Sequence, residues 1–334
     1  MKKLAIILFS ILSITGFSQD PQFTQFFYNP LYLAPSFAGA IEASRLTSMY
    51  RTQWSGIGNP FVTYSFSYDH YFDQFNSGFG LLFLSDAAGS GRLGMTSIGF
   101  MYSYDFQIFN TWHVRPGLHF NYLQTGIDYN KLFFSSQISD GVIYYNGLSP
   151  QAPANDKIGD IDVSTSVLIY TKKLWFGGTV DHLLSPEVSL YLTGGKVPIK
   201  YTAFGGIELV RKGKLLKPLD ETLVFATLYR QQYIFRQLDF GLYWYKMPIV
   251  AGIWVRGLPK MYDIESSEKT LIRVGDAIAF LVGYKVSTFS IGYSYDFTVS
   301  KLITSTNGSH EVSLVYNFRH ERRKKITSIP CPSF

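Results

Sequence analysis

The amino-acid sequence predicts an all-β fold, a transmembrane antiparallel up-and-down β-barrel of about 14 strands. Three observations carry this reading. Many segments alternate apolar and polar residues with a period of two, as a strand with one face in lipid and one in water requires. Beyond residue 18 no run of 18 apolar residues occurs, which excludes helical spans and leaves a closed barrel to satisfy backbone groups within lipid. Aromatic residues make up 17% of the chain and charged residues 16%, with 24 Tyr and 28 Phe spread along its length, more than a water-soluble core would hide.

The elements follow in order. Met1, Lys2 and Lys3, an apolar run from Leu4 to Phe17, and small Ser18 read as a secretory signal, residues 1–18, cleaved after Ser18. That run is about 14 residues, short of the roughly 20 a spanning helix needs. No cysteine follows it, so N-terminal lipidation is not expected. The single Cys331 leaves no intramolecular disulfide, only a free thiol or a bond to another chain. Residues 19–41 are apolar and aromatic yet precede the first strand, so they must be buried somewhere. They are expected as a periplasmic or lumen-associated segment that at least partly occludes the barrel.

The barrel itself is expected over residues 42–318 as one unit. Strands are placed near 43–54, 61–72, 77–85, 93–106, 112–124, 161–171, 174–184, 199–210, 221–231, 236–246, 248–257, 275–285, 288–299 and 308–318. The clearest alternation sets Phe289, Ile291, Tyr293, Tyr295 and Phe297 against Ser290, Gly292, Ser294, Asp296 and Thr298. Tyr64, Phe66 and Tyr68 oppose Thr63, Ser65, Ser67 and Asp69 in the same way. Connection lengths alternate too. Those at 73–76, 107–111, 172–173, 247 and 286–287 are short, and those at 86–92, 125–160, 185–198, 258–274 and 300–307 are longer. The connections at 55–60 and 232–235 are modest, and 211–220 is the long exception on the short side. With the first strand rising outward, both chain ends are expected in the periplasm, and the largest surface loop is expected from Gly126 to Asp160. Residues 319–334 form a basic periplasmic tail.

The remaining motifs carry little chemistry. Gly89, Gly91 and Gly94 spell G-x-G-x-x-G, but a strand pattern follows where a dinucleotide cradle needs a helix. The six histidines show no H-x-x-x-H pairing, so no metal site is assigned, and His113 and His119 are expected to face the lumen. There is no G-x-S-x-G elbow and no P-loop. No enzyme, cofactor or nucleic-acid partner is expected. Asn307-Gly308 reads as a turn with positive φ. Arg51, Asp69, Asp105, Arg115, Asp181, Asp239 and Asp296 fall on the inward face, where they either line a pore or cross-link a filled interior. Lys172, Lys173, Arg211, Lys212, Lys214, Lys217, Lys246 and Lys285 fall on the short-turn side with Arg319, Arg322, Arg323, Lys324 and Lys325, as a solvated rim or a docking surface.

Particular segments then become recognisable. The run Gln19-Asp20-Pro21-Gln22-Phe23-Thr24-Gln25-Phe26-Phe27-Tyr28-Asn29-Pro30-Leu31-Tyr32-Leu33-Ala34-Pro35-Ser36-Phe37-Ala38-Gly39 closely resembles the opening signature of the PorP/SprF family. Also similar to that family are Tyr50-Arg51-Thr52-Gln53-Trp54, Asp181-His182-Leu183 with Pro186, and Val197-Pro198-Ile199-Lys200-Tyr201. Ile291 to Asp296, Gly308 to Leu314 and Ile329-Pro330-Cys331-Pro332 complete the resemblance, which spans nearly the whole chain.

The resemblance implies a non-enzymatic outer-membrane component of the type IX secretion and gliding-motility machinery, supporting secretion or surface attachment of a cognate adhesin-like protein with a type IX sorting domain. It implies contacts with the bilayer, with that exported protein, and with periplasmic and outer-membrane components, including peptidoglycan-linked ones. The alternative reading is a general or substrate-specific solute channel. Partner contacts are expected at Gln19, Asp20, Pro21, Gln22, Phe23, Asn29, Pro30 and Pro35, and at Arg322, Arg323, Lys324, Lys325, Cys331 and Phe334 of the tail. The long loop after Gly126 is expected to meet the exported protein.

Overall fold

A computed structural model of the chain describes residues 20–41, 43–56, 58–109, 111–132, 137–139, 142–143, 156–190, 195–212, 221–257, 277–299 and 307–318. The expected signal 1–18, Gln19 and the tail 319–334 lie outside the described residues, as do Lys214 and Lys217.

The strands are β1 (Arg45–Gln53), β2 (Phe61–Phe72), β3 (Ser77–Ala88), β4 (Leu93–Tyr104), β5 (Phe106–Ile108), β6 (Trp112–Gly126), β7 (Ile138–Ser139), β8 (Val142–Ile143), β9 (Lys157–Tyr170), β10 (Leu174–Asp181), β11 (Lys200–Lys212), β12 (Glu221–Gln232), β13 (Phe235–Lys246), β14 (Ile249–Arg256), β15 (Ala277–Lys285), β16 (Phe289–Thr298) and β17 (Ser309–Asn317). Each wall strand pairs antiparallel with its sequence neighbours, and β1 pairs with β17, closing the ring. β5 continues β4 after an interruption at Asp105, and β4 and β5 both pair with β6. They count as one wall strand, so the barrel has fourteen. β7 and β8 pair only with each other, within the connection after β6. Among the described residues no helix is long and apolar enough to cross a membrane.

The alternation read from sequence sets the two faces. On β2, Thr63, Ser65, Ser67 and Asp69 are buried and Tyr64, Phe66 and Tyr68 are exposed. On β16, Ser290, Ser294 and Asp296 are buried while Ile291, Tyr293 and Phe297 point outward. The outer face thus offers lipid a continuous apolar surface, and the polar residues line the interior.

Two connections are shorter than expected. The ladder between β3 and β4 runs on to Ala88↔Leu93, leaving only Gly89–Arg92 in place of a loop over 86–92. Small Ala87 and Gly94 face each other there, where an added Cβ on Gly94 would lie 2.4 Å from the Asp86 carbonyl oxygen. The connection at 232–235 is a two-residue turn, Tyr233 and Ile234, between paired Gln232 and Phe235. β9 starts at Lys157, paired with Gly126, so the long loop ends a few residues early. Asn307 and Gly308 adopt φ of 52° and 64°, the expected turn.

Alternation defines two rims. β1 starts and β17 ends at one, here the terminal rim, with Arg45 opposite Asn317. The connections after β1, β3, β6, β10, β12, β14 and β16 lie at the other, the loop rim. Residues 20–41 run inside the ring from the loop rim to the terminal rim. Asp20 is held by His182 and Lys200 beside the β10–β11 connection, and Gly39 by Asp69 near the far end of β2. The first and last barrel strands thus begin and end at one rim, while Asp20 lies at the other. The reason is that this segment crosses the full barrel before β1 turns back through it.

The segment, called the plug here, contains a helical turn, Pro30–Leu33, and a 3-10 turn, Pro35–Phe37. The wall makes room for it with glycine. A Cβ on Gly78 would sit 1.9 Å from the Ala38 carbonyl oxygen, and one on Gly117 would sit 2.3 Å from the Ser36 nitrogen.

Candidate functional site

Two kinds of contact hold the plug. At the loop rim they are ionic. The Asp20 carboxylate accepts from Lys200 Nζ at 2.5 Å and Gln232 Nε2 at 3.2 Å, and it lies 3.0 Å from His182 Nε2. His182 Nδ1 is 2.7 Å from Asp162, so its ring bridges two carboxylates. Burial would raise the Asp20 carboxyl, but Lys200 and His182 hold it well below the usual carboxylate range. Burial would likewise lower His182, yet Asp20 and Asp162 raise it to about 10.

One turn of chain further, Thr24 enters a cluster of four charges. Its amide donates to Glu311 at 2.6 Å and its hydroxyl to Asp296 at 2.7 Å, while Arg51 and Arg256 donate to the same hydroxyl at 3.0 and 2.5 Å. Arg51 pairs with both Glu311 and Asp296, and Arg256 with Asp296. Gln25 completes this clasp through its amide to Glu311 at 2.9 Å and its side chain to Ser294 at 3.0 Å.

Below, the contacts turn aromatic. Phe26 meets Trp254 edge-on at 4.7 Å between centroids, and Phe27 meets Tyr243 at 5.8 Å and Trp175 at 6.1 Å. Phe37 packs on Phe204 at 5.5 Å. Wall side chains then satisfy the plug's polar groups one at a time, as buried groups require. Asn29 donates to Ser65, Thr179 to the Leu33 carbonyl, Ser103 and Arg115 to the Ala38 carbonyl, and the Gly39 amide to Asp69.

The seven inward charges read from sequence all have partners. Arg51, Asp69, Arg115 and Asp296 grip the plug. Asp105 bonds Tyr170 at 2.8 Å, Asp181 pairs with Lys200, and Asp239 pairs with Arg230. They cross-link an occupied interior.

A pocket of about 160 Å³ opens at the loop rim between the first plug residues and β11–β13. Phe26, Leu33 and Leu228 form its apolar part, Lys200, Arg230 and Gln232 its polar wall, and Phe235, Arg236 and Gln237 its edge on β13.

The residues expected to contact partners separate into three groups. Asp20, Pro21 and Gln22 are partly exposed and border this pocket. Phe23, Asn29, Pro30 and Pro35 are buried in the plug, and of these Phe23 lines the pocket. Their surface is covered by the wall. Gln19, Arg322, Arg323, Lys324, Lys325, Cys331 and Phe334 lie outside the described residues. Sequence reasoning gave no site role to Lys200, Arg230 or the Tyr233–Phe235 turn. The only signal for Lys200 and His182 was that both fall in the short motifs quoted for the family resemblance.

A closed fourteen-stranded ring with an apolar outer face and a polar interior threaded by its own N-terminal segment is an outer-membrane β-barrel. Its family is shown as well: the chain belongs to the PorP/SprF family, described as "Type IX secretion system membrane protein PorP/SprF", whose model matches residues 15–316. No curated protein matches the chain. Among solved structures it is similar to the CymD monoaromatic hydrocarbon channel, at 10% identity and TM-score 0.47, covering 88% of this chain and 93% of that one. The P. putida toluene transporter TodX is similar at 11% identity and TM-score 0.46, covering 86% and 93%. The KdgM porin is similar at 10% identity and TM-score 0.37, covering 82% and 99%. No function passes from these three to this chain.

Proposed function

We propose that this chain is a non-enzymatic docking barrel of the type IX machinery that supports secretion or surface attachment of one cognate large surface protein. The loop rim faces the cell exterior and meets that protein. The terminal rim faces the periplasm, where exposed Lys172 and Lys173 and the basic tail with Arg322, Arg323, Lys324, Lys325, Cys331 and Phe334 meet other components of the machinery.

The observation that carries this reading, beyond family membership, is the plug. A segment bonded to the wall from one rim to the other leaves the lumen a poor conduit for polypeptide, so the rims are where such a barrel engages partners. The test is deletion of the gene followed by a survey of surface proteins. Loss of one surface protein, with others retained, is the expected result. Unchanged surface proteins, together with steady ion conductance of the purified intact barrel, would replace this reading with a solute channel.

A further inference from the structure

The β12–β13 hairpin breaks two local rules at one place. Its two-residue turn puts Tyr233 at φ of +52°, a left-handed conformation suited to Gly or Asn. It also exposes three apolar residues in a row, with Tyr233 at 50%, Ile234 at 69% and Phe235 at 41%.

Lipid does not account for this exposure. Along the outward face of β12 and β13, apolar Phe225, Tyr229, Leu238, Phe240 and Leu242 give way to the directly paired Gln231 and Arg236 before the turn is reached. The tip stands beyond that polar pair. At the terminal rim exposed Met247 is set off by one outward polar residue, Lys246, which pairs with apolar Ile249 and not with a second polar residue.

The tip also adjoins the loop-rim pocket, whose edge is Phe235, Arg236 and Gln237. Arg236 is exposed and has no carboxylate partner among the described residues. Arg230, at the pocket's wall, donates through Nη2 to Asp239 at 2.8 Å, while its buried Nε has no partner. A cavity with an apolar part, a polar wall in which Asp20 and Asp181 are paired with Lys200, and a cationic edge beside an exposed aromatic tip has the make-up of an interface hot spot.

We propose that the β12–β13 tip and the pocket beside it form a docking site for an extended polypeptide segment. An apolar anchor residue of that segment enters the pocket over Phe26 and Leu228, and an acidic residue flanking the anchor meets Arg236. The segment belongs to the surface protein that depends on this barrel, so the inference rests on the proposed function and specifies where its partner binds.

The test uses the full-length barrel in cells. Tyr233→Gly with Ile234→Asn gives the turn residues its backbone favours, so the barrel should reach the outer membrane at its usual level, while surface display of the dependent protein falls about tenfold. Gln22→Trp, which fills the pocket mouth from the plug side, should cause a comparable loss without touching the turn. A photo-cross-linking residue at position 234 should capture the dependent protein, identified as the one lost on gene deletion. Normal display in both variants, with no cross-link, overturns the docking site even where gene deletion removes the surface protein. Should gene deletion remove nothing, the broader functional reading falls instead. If the turn variant fails to fold, Gln22→Trp and the cross-link decide.

Discussion

The two halves of the plug are held by opposite chemistry. Residues 20–25 meet the wall through carboxylates, guanidinium groups and the His182 ring. Residues 26–38 meet it through aromatic packing and single hydrogen bonds to backbone carbonyls. Burying apolar rings is favourable without any geometric demand. Burying charges costs desolvation that only close pairing recovers, so such contacts specify position more than they add stability. The lower half anchors the segment, and the upper half fixes where the chain emerges at the loop rim.

This contrast can be broken in order of effect. Removing residues 20–41 takes away both halves, and the emptied barrel should show steady ion conductance in planar bilayers where the intact barrel shows none. No current from the truncated barrel would mean that the plug does not occlude the lumen. Phe27→Ala attacks only the lower half. With Trp175, Tyr243 and Trp254 around it, it should cost about 3–5 kcal/mol in denaturant unfolding of the detergent-solubilised barrel. Glu311→Gln attacks only the upper half. It keeps the shape but leaves Arg51 with Asp296 alone, and should cost about 1–3 kcal/mol, with increased mobility confined to residues 20–25. A loss as large as that of Phe27→Ala would invert the assignment of anchor and latch.

The mildest perturbation is pH. His182 is raised from an ordinary 6.5 to about 10, so its stabilising contact is complete below 6.5 and is lost as pH rises through about 10. Asp20 is depressed below 3.8, so its contribution is present above that value and is lost as pH falls through its lowered value in the folded state. A spin label at position 22, in a Cys331→Ser background, should be most ordered between about pH 4 and 6.5 and loosen toward pH 10. A label indifferent to that rise would remove His182 from the latch.

The wall was legible in the sequence because period-two alternation states it directly, as on Phe289–Thr298. Legibility ended where side chains shrink. Ala87 and Ala88 carry no apolar contrast, so they read as loop although they extend the β3–β4 ladder. The plug's need for burial was readable from its aromatic content, but its path was not. Thr24 and Glu311 meet across 287 positions, and no local period encodes a contact of that kind. The pocket was hidden for the same reason, being assembled from the plug and four separate strands. His182 stood in a quoted motif, yet its role needs Asp20 and Asp162 to be brought to it by the fold.

The threading of the plug also bears on how the ring is closed. β1 and β17 zip together along nine paired positions to seal the cylinder, and Thr24 and Gln25 reach Glu311 on one side of that seam while Thr24 also accepts from Arg51 on the other. The closure of the ring is therefore fastened from within, by a segment that bonds both of the strands that meet there.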